Sequence, residues 1–128
     1  MVRCLIVDDS PCFLSAARCL LEREGVTVVG VASTGAEATE RVAELRPDVV
    51  LMDVELGPES GVEVAARLHR QAAGGAPRTI LISARADQDC AQLVAASSAI
   101  GFLCKTRLSA AAIRALLDGE HDGCPGDG

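Results

Sequence analysis

The sequence predicts an α/β protein built on one five-stranded parallel sheet, doubly wound, with helices on both faces. Three observations lead there. Short apolar runs alternate five times with segments of helical periodicity. The runs are apolar on both faces, as strands covered from two sides must be. At 128 residues the chain can bury a single continuous core. No long repeat or domain-scale linker interrupts the pattern, so residues 1–118 are expected to form one domain and 119–128 a polar, flexible tail or truncated linker.

Val2 to Val7 is the first apolar run. Ser10-Pro11 then offers an N-cap with proline at the first helical position, opening an amphipathic helix through Arg23. Gly25 ends that helix, Val26 to Ala32 is a second, β-branched run, and Thr34-Gly35 leads into a helix over Ala36 to Leu45. Pro47-Asp48 breaks the chain before the third strand, Val49 to Met52, and a loop from Asp53 to Ser60 feeds a helix over Gly61 to Arg70. Ala72 to Pro77 reads as a turn. Thr79 to Ser83 is the fourth strand, Asp87 to Ala96 a helix, Ile100 to Leu103 the fifth strand and Leu108 to Leu117 the last helix.

Composition narrows the function. Twelve basic and eighteen acidic residues give a formal net charge of -6, which repels a polyanion, so this chain by itself is not expected to bind nucleic acid. Trp and Tyr are absent and Phe occurs twice, leaving no aromatic platform for bases, sugars or a stacked flavin. No apolar run is long enough to cross a bilayer and no basic, apolar leader opens the chain, which points to a soluble, cytoplasmic protein without a membrane partner. The six cysteines include no C-x-x-C pair and read as buried or idle thiols.

In open parallel sheets the functional site lies beyond the carboxyl ends of the strands, where strand order reverses. Those positions hold Asp8 and Asp9 after the first strand, Asp53 after the third, Ser83 at the end of the fourth and Lys105 after the fifth. Each alone has an ordinary explanation: an acidic pair can cap a helix, a serine can satisfy backbone groups, a lysine can be a solvated charge. Together they set three carboxylates at close quarters, a conflict that a hard divalent cation with oxygen ligands removes. A strand-end carboxylate beside such a cation and an ammonium can attack a phosphoryl group.

The order Val7-Asp8-Asp9-Ser10, Leu51-Met52-Asp53, Ile82-Ser83-Ala84 and Gly101-Phe102-Leu103-x-Lys105 resembles the receiver domains of two-component response regulators, over residues 2 to 118. The stretch Pro47 to Asp53 and the Lys105-Thr106 step are most similar to the NarL/LuxR-type branch. The resemblance implies a flavodoxin-like (βα)5 fold. It implies phosphorylation at Asp53 that depends on Mg²⁺, or Mn²⁺, with Asp9 as a direct metal ligand, Asp8 acting through water and Glu55 giving its backbone carbonyl. Ser83 would be the switch hydroxyl, Phe102 the aromatic switch and Lys105 the ammonium on the phosphoryl group. A sensor histidine kinase would be the donor, and the output a phosphorylation-dependent homodimer. The protein would then be a signalling element that catalyses its own modification and dephosphorylation, not an enzyme with a separate substrate, and most simply the N-terminal regulatory part of a transcription regulator.

The chain departs from that pattern in three places. Thr106 replaces the proline that many receivers carry after the lysine. Leu56-Gly57-Pro58-Glu59-Ser60-Gly61 replaces the usual Met-Pro loop. Ser98 stands where glycine is common, at a helix end where a left-handed conformation costs serine more than glycine. Glu55 and Arg85 are expected to flank the pocket mouth, either as an ion pair slowing water or as two solvated charges. His69 and His121 lie away from the acidic cluster and read as surface residues.

Other readings remain open at this stage. An interaction-only receiver would keep the fold and be controlled without phosphorylation. A stand-alone single-domain regulator would have the tail as its end. A phosphatase or hydrolase with an aspartyl nucleophile would use a second carboxylate two residues on, the spacing of Glu55.

Overall fold

A computed structural model describes residues 2–71, 77–84 and 90–119, with the side chain of Cys90 outside the description. The chain runs through β1 (Arg3–Val7), α1 (Pro11–Arg23), β2 (Thr27–Ala32), α2 (Gly35–Leu45), β3 (Val49–Asp53), β4 (Glu55–Leu56), β5 (Glu59–Ser60), α3 (Gly61–Gln71), β6 (Arg78–Ser83), α4 (Cys90–Ser97), β7 (Gly101–Cys104), a 3-10 turn at Lys105–Arg107 and α5 (Ala110–Gly119). The five long strands form one parallel sheet in the order β2-β1-β3-β6-β7. The chain leaves β1 for β2 on one side and returns to β3 on the other, so strand order reverses between β1 and β3, where a site was expected.

Strand periodicity explains the layering. Cys4 and Ile6 of β1, Val49 and Leu51 of β3, and Ile80 and Ile82 of β6 point into one core with Leu14, Ala17 and Leu21 of α1 and Ile113 of α5. The alternate residues, Leu5, Val7, Val50, Met52 and Leu81, point into a second core with Ala38 of α2 and Val64, Ala65 and Leu68 of α3. Burying each of the fully enclosed Leu and Ile side chains contributes ~1.5–3 kcal/mol, which is why these runs carry no charge at their centres.

Local chemistry sets the helix ends. The Ser10 hydroxyl accepts the Phe13 N–H at 3.3 Å, and Pro11 begins α1 as expected. At α2 the Thr34 hydroxyl accepts the Glu37 N–H at 3.1 Å while the Glu37 carboxylate accepts the Ser33 N–H at 2.7 Å, a reciprocal cap. Arg3 donates to the carbonyls of Leu45 and Arg46, closing α2 where Arg46 turns left-handed. The carboxylate of Glu24, just past α1, accepts the Ala110 N–H at 2.7 Å and so caps α5. Ser98 has φ 64°, the left-handed conformation expected for it after α4.

Several expected boundaries are corrected. Asp53 does not follow the third strand; it is the strand's last residue and pairs with Ile82. The segment from Asp53 to Ser60 is not an open loop, because Glu55–Leu56 and Glu59–Ser60 pair antiparallel around Gly57-Pro58, with Gly57 at φ 61°. The last helix begins at Ala110, since the Ser109 hydroxyl accepts the Ala112 N–H at 3.0 Å and the residues before it form the 3-10 turn. The fifth strand is Gly101–Cys104. The start of the fourth helix at Asp87, most of the turn from Ala72, and the tail beyond Gly119 lie outside the described residues.

Among the described residues Cys4, Cys12, Cys19 and Cys104 are free thiols; Cys12 and Cys19 are exposed. Burial pushes the Cys4 thiol up to about 12, which leaves it unreactive. No described helix is long and apolar enough to cross a membrane.

Candidate functional site

At the carboxyl edge of the sheet the turn after β1 and the end of β3 bring three carboxylates together. One oxygen from each of Asp8, Asp9 and Asp53 lies within 4.8 Å of the others. Asp8 is fully buried, Asp53 nearly so and Asp9 exposed, so the cluster has a closed floor and an open side. The backbone fixes the floor. The Asp8 N–H donates to the Ala32 carbonyl at 3.0 Å, and Asp8 Oδ1 accepts the Ser10 N–H at 2.8 Å. Asp8 is therefore held by the turn that starts α1.

Lys105 enters from the 3-10 turn after β7. Its ammonium is 2.6 Å from Asp8 Oδ2 and 3.4 Å from Asp53 Oδ2. The short contact makes Asp8 Oδ2, a fully buried oxygen, the ion-pair partner of the ammonium. Burial works against the charged form of Lys105, but Asp8 and Asp53 outweigh it and hold the ammonium above its ordinary pKa.

Burial pushes the Asp53 carboxyl up to about 6, and the charge of Asp8 adds to this. The Glu55 N–H, donating to Asp53 Oδ1 at 3.3 Å, and the Lys105 ammonium oppose the rise. Among the described residues one ammonium stands against three carboxylates, an excess of negative charge. That excess fits a divalent cation bound by oxygen ligands, and Asp8, Asp9 and Asp53 could hold one.

Asp9, Asp53, Glu55, Gly57, Ser83, Ala84 and Lys105 line a pocket of about 310 Å³. Ser83 is buried at the end of β6, opposite Cys104 in register. Glu55 is exposed at the rim; Arg85, the other residue expected at the pocket mouth, lies outside the described residues. Phe102 is half-buried, pairs with Leu81 and packs against the second core, outside the pocket lining. His69 is exposed near the end of α3, as expected of a surface residue, and His121 lies outside the described residues.

Two features were not legible from sequence. The Phe13 ring lies under the Lys105 ammonium, 4.4 Å from Nζ to the ring centroid. Gly61 lets the chain return across the end of β3, because a β-carbon there would overlap the Asp53 carbonyl oxygen. The Gly61 N–H instead donates to the Val54 carbonyl at 2.9 Å.

The sequence profile of the response regulator receiver domain matches residues 4–118. The chain belongs to the response regulator receiver family. This receiver is 32% identical over 124 residues to the transcriptional regulatory protein LiaR of Bacillus subtilis, an alignment covering 94% of the chain and 58% of LiaR. Its fold matches the signal receiver domain of the response regulator NarL from Mycobacterium tuberculosis, with TM-score 0.76, 33% identity, and 94% and 96% of the two chains covered. A LuxR-family two-component response regulator from Aurantimonas sp. SI85-9A1 superimposes with TM-score 0.80 at 27% identity, covering 95% of this chain and 86% of that one. The likeness to NarL/LuxR-type regulators is thus present in both sequence and structure. The matched regions make up between 18% and 58% of the lengths of curated relatives, so the receiver corresponds to a part of each.

Proposed function

We propose that this receiver takes a phosphoryl group onto Asp53, with Mg²⁺ or Mn²⁺ bound, and is the regulatory part of a transcription regulator, switched between two states of an interaction face. The observation that carries the reading is the convergence of Asp8, Asp9, Asp53 and Lys105 on one pocket at the strand-order reversal. Relatives named as transcription regulators, of which the chain matches a part, support the output. On this reading residues 1–118 are the regulatory domain.

Asp9 would ligate the cation directly, Asp8 through water, with Asp53 and the Glu55 backbone carbonyl completing the protein's share. The bound cation supplies charge neutralisation for the phosphoryl oxygens as charge redistributes. An Asp53 oxygen attacks phosphorus of a phosphohistidine on a sensor kinase; the P–O bond to Asp53 forms as the donor's P–N bond breaks, and the imidazole stays on the kinase. Lys105 meets one transferred oxygen with its ammonium. The Ser83 hydroxyl turns to another, and Phe102 moves into the space behind it. The phosphoryl group shifts the equilibrium only by interacting differently with the two states, and the favoured state pairs with a second copy of the chain. Water attack on the aspartyl phosphate returns the carboxylate and inorganic phosphate.

Intact mass of the wild type and Asp53→Asn after acetyl phosphate, with Mg²⁺ and with chelator, tests the assignment. Gain of one alkali-labile phosphoryl group by wild type alone, and only with Mg²⁺, is the expected result. No modification of either protein by acetyl phosphate or by a phosphorylated histidine kinase would sink it and leave a receiver controlled by interaction alone.

A further inference from the structure

Among the described residues three groups meet the Lys105 ammonium: Asp8 at 2.6 Å, Asp53 at 3.4 Å and the face of Phe13 at 4.4 Å to the centroid. Both carboxylates belong to the cluster that can hold a divalent cation. When a cation takes their charge, or when Asp53 is esterified, the attraction of Asp8 and Asp53 for the ammonium falls. The ring's attraction does not, because it comes from the fixed quadrupole of a neutral group.

We propose that Phe13 is a positioning residue for Lys105, holding the ammonium at the acidic pocket through its ring face while leaving the positive charge unspent for an arriving phosphoryl oxygen. The inference rests on Asp53 being the phosphoryl acceptor.

Two properties of the site support it. A lysine has several rotatable bonds, and an ammonium released by its carboxylates would spread over many rotamers unless something neutral kept it in place. The Lys105 side chain is only 18% exposed, so the ring acts where water weakens the attraction least. Phe13 is also well anchored for the task. It sits in the first turn of α1, its N–H is taken by the Ser10 cap, and its ring is half-buried against the core shared by α1 and α5. Phe102 is the chain's other aromatic residue, and it packs on the opposite core. Among the described residues no second phenyl ring is placed to take over.

The test compares Phe13→Leu, which keeps apolar volume without a π face, with Phe13→Tyr, which keeps the face. Three quantities are measured: the rate of Asp53 phosphorylation by acetyl phosphate with Mg²⁺, Mg²⁺ affinity by calorimetry, and the ring-current shift of the Lys105 ε-protons in metal-free protein. Phe13→Leu should lose the upfield shift and phosphorylate about 5-fold more slowly, with Mg²⁺ affinity unchanged, while Phe13→Tyr retains both rate and shift. A wild-type rate in Phe13→Leu overturns the proposal, and so does equal slowing of both variants, which would make Phe13 a packing residue only. If Phe13→Leu does not fold, Phe13→Met replaces it. A wild type that accepts no phosphoryl group removes the Asp53 assignment together with this one, whereas a modified wild type beside an unimpaired Phe13→Leu removes the role of Phe13 alone.

Discussion

The Lys105 ammonium stands 0.8 Å nearer to the buried Asp8 than to Asp53, at 2.6 Å against 3.4 Å. The lysine is therefore first of all the counter-ion of the carboxylate that has least access to water. A cation entering from the Asp9 side would take over that duty. Lys105→Met should leave Asp8 and Asp53 facing one another without a positive partner. We expect a loss of ~1–3 kcal/mol in stability in chelator, discounted from the fully buried case because the lysine is partly solvated. Added Mg²⁺ should recover much of it, and phosphorylation should remain slower by about a hundredfold or more. Urea unfolding with and without Mg²⁺ and the acetyl phosphate rate check the two parts separately.

Asp53 gives a pH prediction with a definite sign. Its folded-state carboxyl lies at about 6 against an ordinary 3.8, mainly through burial. Between those values the folded chain holds the proton more tightly than the unfolded chain, so stability falls as pH rises through the window and the deficit is complete above it. Asp53→Asn should consequently stabilise the metal-free protein by ~1–2 kcal/mol at about pH 7.5, and by little near pH 4. Thermal melts in chelator at both values decide it; equal effects at the two would show that the buried charge is not the cause.

Gly61→Ala tests the return of the chain over β3. The added β-carbon must displace the Asp53 carbonyl, which is backbone and cannot swing aside. A cost of ~1–3 kcal/mol or more is expected, together with weaker Mg²⁺ binding because the acceptor strand end moves. A variant with wild-type melting and calorimetry would refute the close approach.

Ser98→Gly should act in the opposite direction. Serine at φ 64° bears the left-handed cost that glycine escapes, and Ser98 is exposed, so no packing is lost. A gain of about 0.5–1 kcal/mol in chemical denaturation is the expected outcome.

The sheet and most of the site were legible because their signals are local and repeated. Runs such as Val49 to Met52 and Thr79 to Ser83 are apolar on both faces, and the chemistry-bearing residues follow at strand ends. Ser98 was legible for a simpler reason, since a helix end asks for a left-handed residue whatever the sequence supplies. The paired segments Glu55–Leu56 and Glu59–Ser60 were missed because two residues are too few to show a period of two, though Gly57-Pro58 carried the turn. Phe13 was missed because an aromatic residue one turn into an amphipathic helix reads as core. Part of its ring is core; the contact that distinguishes it comes from Lys105, far along the chain, and no spacing rule reaches that distance.

The carboxylate of Glu24 on the Ala110 N–H bridges 86 positions of sequence, from the end of the first helix to the beginning of the last. α5 cannot have its first turn satisfied in this way until α1 is already in place. During synthesis α5 therefore locks onto a helix made 86 positions earlier. The receiver should accordingly unfold as one unit, and fragments that end before Ala110 should leave the part of the core that Ala110 and Ile113 fill open to aggregation.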